Sequence, residues 1–413
     1  MSVPQSELES NRARDRLVSG AAWDDFCDTL KVAGRVIDGF GDEPSDVERA
    51  EWYRYLSRMV RNGFERMVEN CEPERPRLRD APWRQSINVQ SPDQDHLMCE
   101  FVDGRHEYRI RGQRGTLPYF IMATWTAPQP VDLGERDWAG QGVAGLAEFD
   151  PTNLTTTSFL SSRDLDFDAD GNFEVILSQN PPERNGLSLE AVTTGLLIRT
   201  VFTDRASEEA PTMSIERLDD ATPRPIRPAE MTEGLAKAGQ IVLGYAELVR
   251  AWWFDNLSQR PNTIDFSEAT YLSNGGVLDR LHGFGGWQKP VGQALVVRFT
   301  PAECEHWILQ VCNRWQENLD VYEDGQGYIT KFTAEYEADG GILAILADRD
   351  PGLSGNWIDT FEHTAGVFSL RLIQTHGSPP VSIQSVSLAA LEAGGLDALA
   401  EILPILSGGT SGT

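Results

Sequence analysis

Apolar and polar positions recur along this chain with two different periods. Between Ala21 and Ile37, the residues Trp23, Phe26, Leu30 and Ala33 return every three or four positions, the spacing of one helix face. Ser45-Asp46-Val47-Glu48 then reads as a capping box. The helix it starts gathers Trp52, Leu56, Met59, Val60, Phe64, Met67 and Val68 on one side. The three prolines between Glu72 and Pro82 end it. A further helix is predicted over Ala229 to Phe254, with a stripe of Leu235, Ala238, Val242, Tyr245, Leu248, Val249 and Trp252. Another is predicted over Leu388 to Leu403. Elsewhere the pattern shortens to the strand period. Strands are expected at Tyr108 to Arg111, Tyr119 to Trp125, Asp166 to Leu177, Leu196 to Phe202 and Met213 to Leu218. A later set runs through Ala294 to Phe299, Cys304 to Trp315, Ile342 to Leu346 and the apolar run ending at Arg371.

The two sets of strands repeat one arrangement. Asp339-Gly340 leads into Ile342 to Leu346, a Pro-bearing loop, Asn356-Trp357-Ile358 and the run to Arg371. Earlier, Asp170-Gly171 leads into Phe173 to Leu177, Pro181-Pro182, Asn185-Gly186-Leu187 and the run Leu196 to Arg199. A unit that recurs in this way is an architectural repeat. The expected fold is α+β but mainly β: tandem β-sandwich or jelly-roll-like repeats with an N-terminal helical pair, a linking helix and a C-terminal helix. The corresponding regions are 1–85 (helical), 86–221 (first sandwich), 222–290 (linker, helix and an irregular pocket segment), 291–380 (second sandwich) and 381–413 (helix and tail).

Composition narrows the partners. The formal net charge of −27 over 413 residues repels phosphate backbones and anionic bilayers, so neither nucleic acid nor membrane is expected as a partner. A small-molecule ligand fits, and so does a homo-oligomer. The five cysteines are scattered with no CxxC pair, which suits a reducing cytoplasm. The first twenty residues lack the apolar core of a secretory signal.

The repeated unit resembles the bacterial family known as domain of unknown function 1214. The resemblance rests on the Asp-Gly-led strand, the Pro loop, the triplet Asn356-Trp357-Ile358 and the closing strand with Arg371, and spans most of residues 45–375. Some members carry an Asn-Pro-Asp-Asn-x-Tyr motif before a Tyr-Arg-Ile-x-Gly strand. Here Ser91-Pro92-Asp93-Gln94-Asp95-His96 and Tyr108-Arg109-Ile110-Arg111-Gly112 stand in those places, so the first motif departs from the pattern. The resemblance implies sandwich or jelly-roll domains and no single reaction.

Candidate chemistry comes from strand alternation. Along Cys304 to Cys312, Trp307, Leu309 and Val311 share one face, while His306, Ile308 and Gln310 share the other. Phe368, Leu370 and Leu372 read as core, which turns Ser369 and Arg371 to the opposite face. His306 and Arg371 are therefore expected to flank one surface near Asp359, Glu362 and His363. An imidazole beside a guanidinium pairs proton transfer with charge stabilisation. Expected catalytic residues are His306, His363 and Arg371. Expected substrate contacts are Gln310, Trp307, Trp315, Trp357, Asn356 and Asp359. The competing structural account makes Arg371 a cross-strand partner, since Arg199 holds the equivalent place, and makes Asn356-Trp357 a loop cap and a sheet cover.

Other motifs say less. Asp166-x-Asp168-x-Asp170-Gly171 is half a calcium loop, with Leu177 where a bidentate Glu belongs. Gly140-Gln141-Gly142-Val143-Ala144-Gly145 fits a dinucleotide motif in letters, but no apolar strand precedes it. No organic cofactor is expected. A single divalent metal is compatible with the chain only if His306, His363, His282 or His96 converge with carboxylates. The resulting expectation is a cofactor-independent lyase, hydratase or hydrolase acting on a small apolar or aromatic molecule. The alternatives are a non-catalytic binding or assembly protein and a carbohydrate-binding protein.

Overall fold

The computed structural model describes residues 5–41, 43–80, 88–99, 101–126, 155–193, 195–219, 225–254, 260–268, 271, 280–319, 327–375 and 377–395. The GxGxxG segment, the Gly-rich stretch from 132 to 154 and the chain beyond 395 lie outside them. The described residues hold α1 (Gln5–Val18), α2 (Ala21–Arg35), α3 (Asp46–Phe64), α4 (Pro228–Trp253) and α5 (Leu388–Gly394). They also hold eighteen strands. Contacts divide the chain into two compact units, Met1–Asp255 with Ser267–Leu278, and Asn256–Phe266 with Asp279–Thr413.

Helices α1 to α4 belong to the first unit. The capping box ahead of α3 is present: Glu48 N donates to Ser45 Oγ at 3.2 Å and Ser45 N to Glu48 Oε2 at 2.8 Å. Trp52, Tyr55, Leu56 and Met59 are buried from α3. Phe26 and Ala22 of α2 pack with Leu235 and Ala238 of α4. Trp23, expected on the buried stripe, is 53% exposed, because the α2 interface centres on Ala22, Phe26 and Ala33 instead. Helix α4, which follows the first sandwich in the chain and precedes the second, packs into the helical layer of the first unit.

The remaining elements are two copies of one nine-stranded design. The first copy contains β1 (Arg79–Asp80), β2 (Gln94–Cys99), β3 (Tyr108–Gln113), β4 (Tyr119–Thr126), β5 (Thr155–Ser161), β6 (Asn172–Ser178), β7 (Gly186–Ser188), β8 (Gly195–Val201) and β9 (Thr212–Arg217). The second contains β10 (Asp265–Phe266), β11 (Arg280–Gln288), β12 (Gln293–Phe299), β13 (His306–Asn313), β14 (Tyr328–Thr330), β15 (Ile342–Ala347), β16 (Trp357–Asp359), β17 (Ala365–Ile373) and β18 (Val381–Ser387). Their sheets run β1-β2-β8-β4-β5 with β7-β6-β3-β9, and β10-β11-β17-β13-β14 with β16-β15-β12-β18. The strand order of the second pair is that of the first with each number raised by nine. Even the parallel pairing recurs, β6 with β7 and β15 with β16.

Each pair of sheets closes on its own core. In the second copy Leu295, Val297 and Phe299 of β12 meet Trp307, Leu309 and Val311 of β13 and Phe368, Leu370 and Leu372 of β17. The first copy does the same with Tyr108, Ile110, Phe120, Met122, Leu196 and Ile198. Alternation therefore works as expected: odd-numbered residues of β13 and even-numbered residues of β17 face inward. The outer face of the four-stranded sheet in the second copy is covered as well, with Val296 and Ile345 packed under Leu388 and Leu391 of α5.

Two sequence marks of the repeat have structural causes. Gly171 and Gly340 both sit at positive φ, 80° and 79°, in the turn that starts β6 or β15. Asn185 and Asn356 make the same clip. Asp166 N donates to Asn185 Oδ1 and Asn185 Nδ2 to Asp166 O; Glu335 N donates to Asn356 Oδ1 and Asn356 Nδ2 to Glu335 O. A side-chain amide has one acceptor end and one donor end, so it can replace a backbone pairing at a loop crossing.

Two expectations about element placement are corrected: residues 381–387, expected in the C-terminal helix and tail, form β18 beside β12 of the second sandwich, and part of the segment expected to be irregular is a strand. The segment 256–290 is not irregular throughout, because β11 is a full strand hydrogen-bonded along β17. Its glycines conceal it. A Cβ at Gly285 would lie 1.6 Å from the Thr263 carbonyl oxygen, and one at Gly283 would meet Phe266 and Ile264. The strand has lost apolar side chains where the chain around β10 crosses close to it.

Candidate active site

The outer face of the five-stranded sheet in the second copy carries a buried polar cluster. The register sets His282 of β11 opposite Arg371 of β17, Arg371 opposite Ile308 of β13, and Ser369 opposite Gln310. Same-face neighbours across strands bring their side chains together. His282 Nε2 lies 2.7 Å from Ser369 Oγ. Arg371 Nη1 donates to Gln310 Oε1 at 3.3 Å. Ser369 and Gln310 are 0% exposed and His282 is 4%.

Burial, and secondly the Arg371 charge, hold the His282 pKa well below its ordinary value of 6.5. The ring is therefore neutral at pH 7 and can accept the Ser369 hydroxyl proton. A buried hydroxyl and a neutral imidazole in contact form the start of a nucleophile–base pair. The other nearby candidate nucleophile is Cys312, which follows Gln310 on this face; burial pushes its thiol up, away from the reactive thiolate.

The depressed histidine predicts a pH dependence of stability. The unfolded chain takes up a proton on His282 below about pH 6.5, while the folded chain does not, so stability falls as pH falls through that range. The slope from this one group approaches ~1.4 kcal/mol per pH unit. Urea unfolding between pH 7.5 and 5.5 should show a shallower decline for His282→Gln than for the parent. Equal slopes would mean that His282 titrates alike in both states.

Three of the nine residues singled out from the sequence meet here. Arg371 and Gln310 are in contact, and His306 lies on the same face, buried, one same-face position beyond Ile308 and stacked on Phe332 with ring centroids 5.5 Å apart. The other six lie elsewhere. His363 sits in the turn ahead of β17, where its Nδ1 is 2.9 Å from Thr360 O. The strand from Ala365 to Arg371 spans about 20 Å at the usual rise, so His363 cannot work with Arg371. Asp359 ends β16 ahead of the same distant turn, accepting from Phe361 N; burial raises its carboxyl pKa. Trp307 is in the sandwich core, with Nε1 donating to Tyr336 Oη. Trp315 is buried in the turn after β13. Trp357 packs on the opposite sheet and donates to Ala347 O. The Asn356 amide is used up by the clip and by Leu343 O.

Sequence reasoning named His282 only as a conditional metal ligand and placed Ser369 on the face of Arg371 without giving it a role. The signal for both was available in the repeat. In the first copy His96 pairs with Arg199, and Arg199 with Ile121, in the same register. Raising each strand number by nine gives His282, Arg371 and Ile308. The His–Arg pair thus belongs to the shared design. Ser369 and Gln310 do not: their first-copy counterparts are Leu197 and Ala123, and Leu197 joins Met98 and Trp125 in an apolar cluster.

Two further features fail as sites. Asp168 accepts from Asp170 N, Asn172 N and Asn172 Nδ2, and Asp166 pairs with Arg184, so the half calcium loop is a self-satisfied turn. Among the described residues no group of three or more His, Cys, Asp or Glu is placed to hold a metal ion. A cleft in the first unit is lined by Met67, Cys71, Glu72, Phe101 and Glu230, but neither histidine nor hydroxyl lines it. Among the described residues of these features, base and hydroxyl touch only on the sheet face of the second copy.

The class defined is a tandem β-sandwich protein with a polar cluster on one sheet of the second sandwich. The crystal structure of an uncharacterized protein from Burkholderia cenocepacia matches 92% of this chain and 100% of its own, at 31% identity and a TM-score of 0.82. This chain belongs to that protein's family. The VPA0106 protein from Vibrio parahaemolyticus aligns with 86% of this chain and 100% of its own at 12% identity, with a TM-score of 0.41. No family model and no curated protein matches the chain.

Proposed function

We propose that this protein is an enzyme of lyase, hydratase or hydrolase type that acts, without an organic cofactor, on a small apolar or aromatic molecule by histidine acid–base chemistry. The observation that carries this reading is the buried 2.7 Å contact between His282 Nε2 and Ser369 Oγ beside Arg371. His282 takes the acid–base role that the sequence suggested for His306 and His363. Arg371 supplies positive charge for an oxygen that gains electrons. The outer-face residues Ile308, Cys312 and Phe284 provide the apolar surroundings for such a substrate. The five free cysteines suit a cytoplasmic setting, and the repeat supports kinship with the domain of unknown function 1214 family. Among the described residues no helix is long and apolar enough to cross a membrane.

A second reading, a non-catalytic small-molecule-binding protein, is favoured by the complete burial of Ser369 and Gln310. One experiment separates the two. A panel of aromatic esters, epoxides and β-hydroxy acids is incubated with the protein and followed by mass spectrometry. Conversion of at least one compound is expected, falling about 10²–10⁴-fold in His282→Gln. Undiminished conversion in that variant would remove the assignment, and saturable binding without conversion would favour the binding protein.

A further inference from the structure

Gln310 is buried at 0% exposure, and its Nε2 has no hydrogen-bond partner among the described residues. The orientation of the amide is not arbitrary. A guanidinium can only donate, so the end of the amide facing Arg371 must be the oxygen. The two amide hydrogens are thereby turned away from Arg371. Leaving such a donor unmade in a dry interior costs about 1–3 kcal/mol. Only the second copy accepts this cost, since Ala123 occupies the equivalent position of the first. The register places Gln310 directly opposite Ser369 on one face of adjacent strands. At such a pair the Cβ atoms are about 4.5–5.5 Å apart. An oxygen bonded to the Gln310 amide can therefore belong to a carbon within reach of Ser369 Oγ.

We propose that the site is built for an acyl substrate, a carboxylic ester with a small apolar or aromatic acyl group, whose carbonyl oxygen binds Gln310 Nε2 while Ser369 attacks its carbonyl carbon. This rests on the acid–base reading above and narrows it to hydrolysis. Ser369 Oγ forms a bond to the carbonyl carbon as its proton passes to His282 Nε2. The carbonyl oxygen takes the electron pair, and its charge is met by the Gln310 amide with Arg371 behind it. The bond from carbon to the alcohol oxygen then breaks, and the alkoxide takes the proton from His282. Water adds to the acyl-serine with His282 again accepting the proton, and the free acid leaves as Ser369 recovers its hydrogen. Arg371 opposes a positive charge on His282, so imidazolium is best tolerated while an oxyanion is present beside it. This couples proton transfer to carbonyl addition. Gln310 is in this scheme a catalytic residue and Arg371 a positioning residue that fixes the amide.

The test uses the intact protein and two probes, diisopropyl fluorophosphate and p-nitrophenyl butyrate. Peptide mass spectrometry should find the organophosphate on Ser369, and Ser369→Ala should abolish both labelling and ester turnover. Gln310→Leu should slow both by about 10²–10³-fold. Gln310→Glu, which keeps the size but supplies no donor when ionised, should slow them as well; near-ultraviolet circular dichroism establishes that each variant is folded. An unlabelled Ser369 in folded protein, or Gln310→Leu reacting at the parent rate, would overturn the proposal. If some other reaction is found that needs His282 but survives Ser369→Ala, the acyl mechanism falls while the acid–base reading stands.

Discussion

Trp287→Ala is expected to destabilise the second sandwich by about 3–5 kcal/mol, the usual cost of truncating a fully buried aromatic. Trp287 has no exposure and sits in the core formed by β12, β13, β15 and β17. Its indole nitrogen donates to Cys312 O at 2.9 Å, tying the end of β11 to β13 across β17. Truncation removes that bond along with the packing. The cavity cannot collapse easily, because Gly366 lies against the ring with its backbone already in the β17 ladders: a Cβ there would come within 2.7 Å of Trp287 Nε1. Trp287→Phe keeps most of the volume and should cost markedly less. Urea unfolding followed by near-ultraviolet circular dichroism measures both. A loss under 1 kcal/mol for the alanine variant would show that β11 is not a core strand.

Asp348→Ala should cost a similar amount for an electrostatic reason. Lys289 is 1% exposed, and its Nζ donates to Asp348 Oδ1 and Oδ2 at 3.0 and 2.9 Å. Burial pushes the Asp348 carboxyl up, but the hydrogen bonds from Thr360 and Lys289 outweigh it and the net shift is downward. Removing the carboxylate strands an ammonium in the interior, typically a loss of about 3–5 kcal/mol. Removing the other partner is less harmful. In Lys289→Met the apolar stem is replaced in kind, and Asp348, 28% exposed, keeps both Thr360 and solvent. The double variant Lys289→Met/Asp348→Ala should be more stable than Asp348→Ala alone. Additive losses in that cycle would show that the two groups do not depend on each other.

Much of the fold was legible because its signals are local. The capping box at Ser45 and the alternation along His306 to Cys312 were both readable from spacing, and each is present as read. The repeat was readable to single residues: Asn185 and Asn356 make the same clip, and Gly186 holds the register of Trp357. The site was half legible. Alternation aimed Arg371, Gln310 and His306 at one face, since parity along a strand needs no knowledge of its neighbours. The position of His363 was misjudged because proximity to a strand's start in sequence says nothing about distance from its far end. Trp315, Trp357, Asn356 and Asp359 were drawn in by residue type, and each is spent on packing or on a turn.

The sequence by itself determined the central strands of each copy, such as β3, β4, β12 and β13, with their inward faces, the duplication and the capped helix α3, since these follow from periodicity and from backbone conformations that few residues adopt. Which strands become neighbours was decided by the tertiary structure. Residue 282 lies 87 positions ahead of Ser369, on a strand whose glycines erase its apolar pattern. Only the register of β11 on β17 brings that imidazole to the serine, and only the Arg371 guanidinium fixes which end of Gln310 faces away from it. Contacts of this kind depend on loop closure over long separations, and no local propensity records them.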